Sequence, residues 1–480
     1  MIRRGRAEGW LREPIHRFPT WATFNGIKSN GVSIGPLPRF EHRGSTIIAD
    51  RELEGAKGGP LLLVPRELIV SRQNIDVVAK SDQHLREVLH ALGDFGRTTR
   101  GAVLIFLLMQ ATLCCPDIKD IGVHNPLTEY IKFLPDELLP TFWSEEERDL
   151  LTGTTLQPAV RAKLNSLLRE FEAVRVATAG ISWCAKYWWD EDDGLLAFDD
   201  WLRLDAMYRS RALEFPNVGD AMVPGIDMAN HASGDATAAL YDTDESGNGV
   251  LVLRDGKEIR EGGEVTITYG DEKGACENIF SYGFIEDGMS SAQIMLLDIN
   301  IPHDDPLRPA KLYVNTTAPG FRVFEKEGGI QWESDFVWLV VVNEEDGLDF
   351  KVKQTVDGNK EIQSFWKEQE LNDTLKLRGL LKEDPLWEVF QLRAVVLMQN
   401  RVDEQIETLR AVGRPERTDT VREGPWKLAA QLCALELDLL HGARSALESE
   451  KATLLETETV QRYLGLVEDG DEDVEEADFT

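Results

Sequence analysis

The sequence predicts an α+β chain in which a β region is split by a long helical insertion, resumes, and is followed by an all-α C-terminal domain. Three observations predict it. Short β-prone runs bounded by Gly, Asn and Pro fill residues 20–75, and helical periodicity with charged faces runs from about 81 to 213. Strand texture then returns around 249–270 before the chain becomes charged and helical beyond 290. A chain of 480 residues is too long for one compact core, so two or three domains are expected.

Taken in order, "NGIKSNGVSIGPLP" is turn-rich, and "STIIAD" and "GPLLLVP" are short runs ended by breakers. "HLREVLHALGDF", "GAVLIFLLMQATLCC", "PAVRAKLNSLLREFEAV" and "FDDWLRLDAMYRSRALEF" repeat apolar residues at helical spacing, with Pro135, Pro140 and Pro158 punctuating the connections. "VLVL" and "VTITY" read as strands separated by Gly-rich turns. Past 290, "IMLLDINI" and "FVWLVVV" are apolar, and Leu428, Leu432, Leu435 and Leu439 mark one face of a helix. The expected organisation is a β part over 1–80, the helical insertion over 81–213, a second β part over 214–290 and a helical domain over 291–465. The segment 466–480, acidic at eight of its last fourteen positions, reads as a disordered tail.

The formal net charge of −32 repels nucleic acid and anionic membrane and suits a basic protein partner. Cys114, Cys115, Cys184, Cys276 and Cys433 have no zinc or C-x-x-C spacing and read as reduced thiols. "MIRRGRAEGWLREP" lacks the apolar core of a secretory signal, so the sequons at Asn315 and Asn372 are expected to stay unmodified. The run Val103 to Met109 is too short to span a membrane. A cytoplasmic or nuclear location is expected, with no metal implied and the oligomeric state left open.

Two motifs mislead. "GVSIG" (Gly31–Gly35) fits a nucleophile elbow but lacks the strand before it and the helix after it. "DTDESG" starts like a calcium loop, but Leu253 stands where the bidentate Glu belongs, so it reads as a hairpin turn. No glycine-rich dinucleotide turn is present.

"SRAL" (Ser210–Leu213), "VPGIDMANH" (Val223–His231), "GGEVTITYG" (Gly262–Gly270) and "ENIFSYGF" (Glu277–Phe284) occur in that order. Together with "NGI" at Asn25, Arg43-Gly44, "LLLVPREL" and "YIKFLPDELLPTFWSEEERDLLTGTTL", they resemble the SET-domain protein methyltransferases of the Rubisco large-subunit lysine methyltransferase branch. The order and spacing carry the resemblance over about 20–290; from 300 to 465 it rests on length, position and texture. It implies a SET-domain β-fold split by a helical insertion, and a C-terminal domain resembling a substrate-binding domain.

The resemblance also implies roles. S-adenosylmethionine would be held by Asn230 and His231, with Asp227 in the same segment and Arg211 near the cofactor carboxylate, where a guanidinium fork suits a carboxylate. Gly44 would let the backbone approach the ligand. Gln73 stands where the family commonly has an acidic residue. Tyr269 matches the catalytic tyrosine, and Tyr282 and Phe284 the aromatic walls where cofactor and target lysine meet. Ala229 and Ala232 depart from the family's usual Leu and Ser, and "ENIF" from its "ELL". The implied activity is lysine N-methylation of a non-histone protein, with ribosomal proteins or translation factors as candidate substrates. Histidine N-methylation and a non-catalytic binding module are the alternatives.

Overall fold

The computed structural model describes every residue except 38–43, 56–58, 137–138, 192–193, 327, 355–359, 372, 414–415 and 467–480. Arg43, the sequon residue Asn372 and the acidic segment from Val467 lie outside the described residues. The chain divides into two units. The first comprises Met1–Trp143, Pro158–Lys273 and Glu277–Glu286; the second comprises Ser144–Gln157, Gly274–Cys276 and Asp287–Thr480.

In the first unit the β elements are short and antiparallel. After two short helices, Ile2–Glu8 and Phe18–Phe24, strands β1 (Lys28–Ser29), β2 (Val32–Pro36), β3 (Ser45–Ala49), β4 (Leu53–Glu54) and β5 (Leu62–Val64) precede the helical insertion; β6 (Leu213–Phe215), β7 (Gly219–Ala221), β8 (Ala239–Thr243), β9 (Gly249–Leu253) and β10 (Glu258–Ile259) follow it. β5 pairs with β9 across the insertion, Leu62 opposite Leu251, giving the sheet order β1-β5-β9-β8. β2 pairs with β3, β4 with β10 and β6 with β7. The "GVSIG" stretch therefore lies on a strand. "DTDESG" closes the β8–β9 hairpin, where Asp244 accepts from the Ser246 and Asn248 amides.

The insertion is built around the helix Thr99–Cys114. Thr98 caps it by accepting the Gly101 amide at 3.0 Å, and every residue from Gly101 to Leu113 is buried. Each large apolar side chain so buried contributes roughly 1.5–3 kcal/mol. Pro116, just past its end, disfavours another helical turn. The helical texture starts earlier than expected, with Arg72–Ser81 capped by Ser71, and ends with Phe198–Arg211.

Three expectations are corrected. "VTITY" forms no regular strand; it is held by isolated bridges, Ile48 to Glu264 and, in parallel sense, His231 to Ile267. Residues 144–157 group with the second unit rather than with the insertion. The C-terminal region is not all-α. It contains β11 (Ile294–Asp298), β12 (Gly320–Lys326) and β13 (Gly329–Glu333) in one sheet, and β14 (Leu348–Gln354), β15 (Lys360–Trp366) and β16 (Gln369–Leu371) in another. From Val352 to Gln354 β14 is wholly exposed, so it carries little of the apolar alternation that marks a half-buried strand. Beyond Leu377 the unit is helical, and Leu432, Leu435 and Leu439 are buried along Glu423–Leu455 as the spacing predicts. All five cysteines are free thiols, and no helix among the described residues is long and apolar enough to cross a membrane.

Candidate active site

The segment Val223–His231 enters the site from the core. Gly225 turns it with φ 92°, a left-handed conformation that favours glycine, and Val223 to Ala229 are all buried. Asp227 sits on this buried side. It accepts from the Gly225 amide at 3.0 Å and from the Tyr130 hydroxyl. Burial pushes its carboxyl up to about 6, against the pull of Arg211 and these hydrogen bonds. Asp227 therefore supports the loop from behind. Arg211, at the end of Phe198–Arg211, donates to the Asp227 carbonyl at 2.8 Å and approaches the Met228 sulfur at 3.4 Å.

At Asn230 the character changes. The parallel bridge uses the flanking groups: Ile267 N–H donates to the Asn230 carbonyl, and Ala232 N–H to the Ile267 carbonyl, both at 3.0 Å. His231's own N–H and C=O point the other way, and among the described residues neither enters a hydrogen bond. One residue thus offers a donor and an acceptor side by side, the complement of a purine edge that carries an amine and a ring nitrogen.

The side chains of the pair are held in place. Asn230 donates to Glu264 Oε1 at 2.7 Å, and the same oxygen accepts from Thr46 at 2.7 Å. This ties the loop to β3, which Gly44 immediately precedes. Gly44 has φ 73°, and among the described residues no atom lies within 4 Å of where its Cβ would stand. The His231 ring accepts the Tyr269 amide on Nδ1 at 2.9 Å and stacks on the Tyr269 ring, centroids 5.1 Å apart.

Tyr269 is the hub. Its hydroxyl donates to the Ala229 carbonyl at 2.7 Å. Its ring lies 4.5 Å from Tyr282 and 6.4 Å from Phe284, and Tyr282 and Phe284 are 6.1 Å apart. All three rings are half-buried. Arg209 stacks over Phe280 at 4.5 Å, bracing the helix Ala275–Tyr282 that carries Tyr282. The structure thus brings Asn230, His231, Tyr269, Tyr282 and Phe284 together, ties the strand after Gly44 to them, and sets Asp227 and Arg211 behind the loop. Gln73 stands apart from this ring cluster. It is exposed on Arg72–Ser81, three residues past the Val70–Met222 bridge.

Residue-type reasoning missed three members. Glu264 and Glu286 belong to the quoted motifs or adjoin them, but look like surface carboxylates until the long-range contacts are known. Glu286 accepts from both the Ser233 amide and hydroxyl, at 3.0 and 2.7 Å, and lies 3.7 Å from His231 Nε2. Lys273 is the third. Its stem runs past Gly270, where a Cβ would stand 2.9 Å from the Lys273 Cε. Its ammonium donates to the Tyr282 hydroxyl at 2.8 Å and pairs with Glu277 at 3.4 Å. Burial alone would lower the Lys273 pKa; the Tyr282 hydrogen bond and Glu277 outweigh it and raise it.

No protein-family model matches the chain. A curated relative, SET domain-containing protein 8 of Schizosaccharomyces pombe (strain 972), is 27% identical over 366 residues, covering 73% of this chain and 78% of the relative. Among solved structures, the SET domain of LSMT bound to methyllysine and AdoHcy superposes with a TM-score of 0.63 at 19% identity, covering 96% of this chain and 98% of that one. Rubisco LSMT bound to AdoMet gives 0.61 at 18% identity, with coverage of 96% and 98%. The chain has the SET-domain fold. The α+β reading, with its split β-fold, is therefore the observed fold class.

Proposed function

We propose that this SET-domain chain is an S-adenosylmethionine-dependent protein-lysine N-methyltransferase acting on a non-histone protein with a basic surface. The observation that carries this reading is the Tyr269 hub. A tyrosine hydroxyl is fixed on the Ala229 carbonyl, walled by Tyr282 and Phe284, beside a loop whose His231 backbone is open to a ligand.

The residues present fit the cofactor. The His231 N–H and C=O suit the adenine edge, and Asn230 and Gly44 flank that position. When bound, S-adenosylmethionine supplies an electrophilic methyl group on a sulfonium.

What remains belongs to the protein. A free lysine amine, with pKa about 10.4, is nearly all protonated at pH 7. Three aromatic rings desolvate such an amine and favour its neutral, nucleophilic form. Because the Tyr269 hydroxyl donates its proton to Ala229, its lone pairs can accept from the amine N–H and aim the nitrogen lone pair. Alignment supplies much of the rate in a displacement of this kind. The Lys273 ammonium holds the Tyr282 hydroxyl as an acceptor and so fixes that wall. The formal charge of −32 complements a basic partner such as a ribosomal protein or translation factor.

The test is transfer of labelled methyl from S-adenosylmethionine to separated ribosomal, soluble and histone fractions, with Tyr269→Phe as control. A labelled non-histone band that fades with the variant, and yields methyllysine on hydrolysis, supports the reading. Methylhistidine in that band replaces the substrate residue. Cofactor binding without label in any fraction favours a binding module, and no cofactor binding overturns the assignment.

A further inference from the structure

We propose that Glu286 is a positioning residue that acts on Tyr269 through His231, drawing the ring proton to Nε2 so that Nδ1 is left to hold the Tyr269 backbone. The inference deepens the methyltransferase reading and rests on it for its catalytic consequence, although its structural core can be tested without activity.

The geometry fixes the tautomer. Tyr269 N–H donates to His231 Nδ1 at 2.9 Å, so Nδ1 must carry a lone pair. In a neutral ring the proton is then on Nε2, which faces Glu286 Oε2 at 3.7 Å. At that separation the carboxylate acts as a charge rather than a hydrogen-bond acceptor. Glu286 is itself fixed, since its other oxygen takes both the amide and the hydroxyl of Ser233, two residues past His231. The ring also stacks on Tyr269 and contacts Phe284, centroids 6.0 Å apart. A second proton on the ring would have to go to Nδ1, where it would meet the Tyr269 N–H head-on. Protonating His231 therefore releases the residue that carries the aligning hydroxyl.

The groups around the ring decide when this happens. Burial opposes the charged ring and lowers the His231 pKa; Glu286, Asp271 and the Ile267 carbonyl favour the charge, and Lys273 opposes it. The balance keeps the ring neutral, and its Tyr269 grip intact, across neutral pH. Substituting Glu286 by Gln removes the charge yet leaves an oxygen for Ser233. Since the carboxylate favours imidazolium, its loss must lower the His231 pKa further.

The experiment is an imidazole 1H–15N titration of the full chain, with His231 assigned among the eight histidines by its absence in H231N. The expected result is an Nε2–H tautomer at pH 7.5 and a His231 midpoint that moves to lower pH in E286Q. An Nδ1–H tautomer, or a midpoint unmoved by E286Q, overturns the proposal whether or not methyl transfer is found.

Where methyl transfer is active, a second readout applies. H231L, which lacks an acceptor, should lower kcat about tenfold, the scale of one lost hydrogen bond, with the KM for S-adenosylmethionine held within about twofold because the backbone holds it. H231N, whose side-chain oxygen stands near the Nδ1 position, should recover most of kcat and remove the His231 limb from the acid side of the pH profile. Equal losses in H231L and H231N, or a loss confined to KM, also overturn it.

Discussion

The two halves of Val223–His231 make opposite use of polar side chains. At Asp227 a carboxylate is sealed in the core against Tyr130 and the Gly225 amide. Four residues later, at His231, the side chain faces Tyr269 while the backbone stays open. The front half is tied into the core, and the back half leaves backbone groups open beside an aromatic cluster. The lesson is that adjacency within a motif does not make its residues partners in chemistry.

Breaking the back half should cost most in activity. Tyr269→Phe keeps the ring but loses the hydroxyl on Ala229, and methyl transfer should fall about a hundredfold or more in a single-turnover assay, the scale of one preorganised polar group. The fold should survive, with a loss near 1 kcal/mol in denaturant unfolding.

Breaking the front half should cost stability instead. Tyr130→Phe leaves the buried Asp227 short of a donor, and urea unfolding should show a loss of roughly 1–3 kcal/mol. A midpoint equal to wild type would mean that Asp227 finds another partner.

The pH dependence sharpens the contrast. The Asp227 carboxyl is raised in the folded chain to about 6, so the folded state binds more protons than the unfolded one between about 4 and 6. Its favourable contribution is full below that window and is lost as pH rises through it. Asp227→Asn should flatten that fall, on the order of 2 kcal/mol, in melts taken from pH 4 to 7. The second unit has its own counterpart. Glu436, buried on Glu423–Leu455 and bonded to the Thr155 amide and hydroxyl, is raised by burial to about 7. Glu436→Gln should remove a similar loss between about pH 4.5 and 7, leaving the Asp227 component unchanged.

The smallest effect is expected at Lys273. Lys273→Met keeps a stem beside Gly270 but frees the Tyr282 hydroxyl, and kcat/KM should fall about three- to fivefold with little change in melting.

Much of this was legible in the sequence because the site is assembled from compact runs. "ANH", "TYG" and "SYGF" each present their residues in a fixed local conformation, and their order supplied the fold. What was illegible came from partners far apart in the chain. Glu264 matters because Thr46 and Asn230 share one of its oxygens, and Glu286 because Ser233 and His231 converge on it; neither pairing leaves a trace in periodicity. "VTITY" has strand composition, but its partners are scattered, so no ladder forms. The sheets within 294–371 escaped because largely exposed strands, such as β14, lack the apolar alternation that betrays a strand.

The run from Val265 to Tyr269 is stitched to three separate places. Val265 donates to the Ile47 carbonyl, Ile267 bonds on both sides of His231, and the Thr266 carbonyl accepts from Ala238 and Ala239. In a chain made from its N-terminus, the loop ending at His231 therefore waits for these five residues. Until they emerge, Asn230 and Ala232 lack their backbone partners and the His231 groups have no set direction. Order of synthesis thus leaves the loop incomplete until Tyr269 arrives with the clasp that closes it.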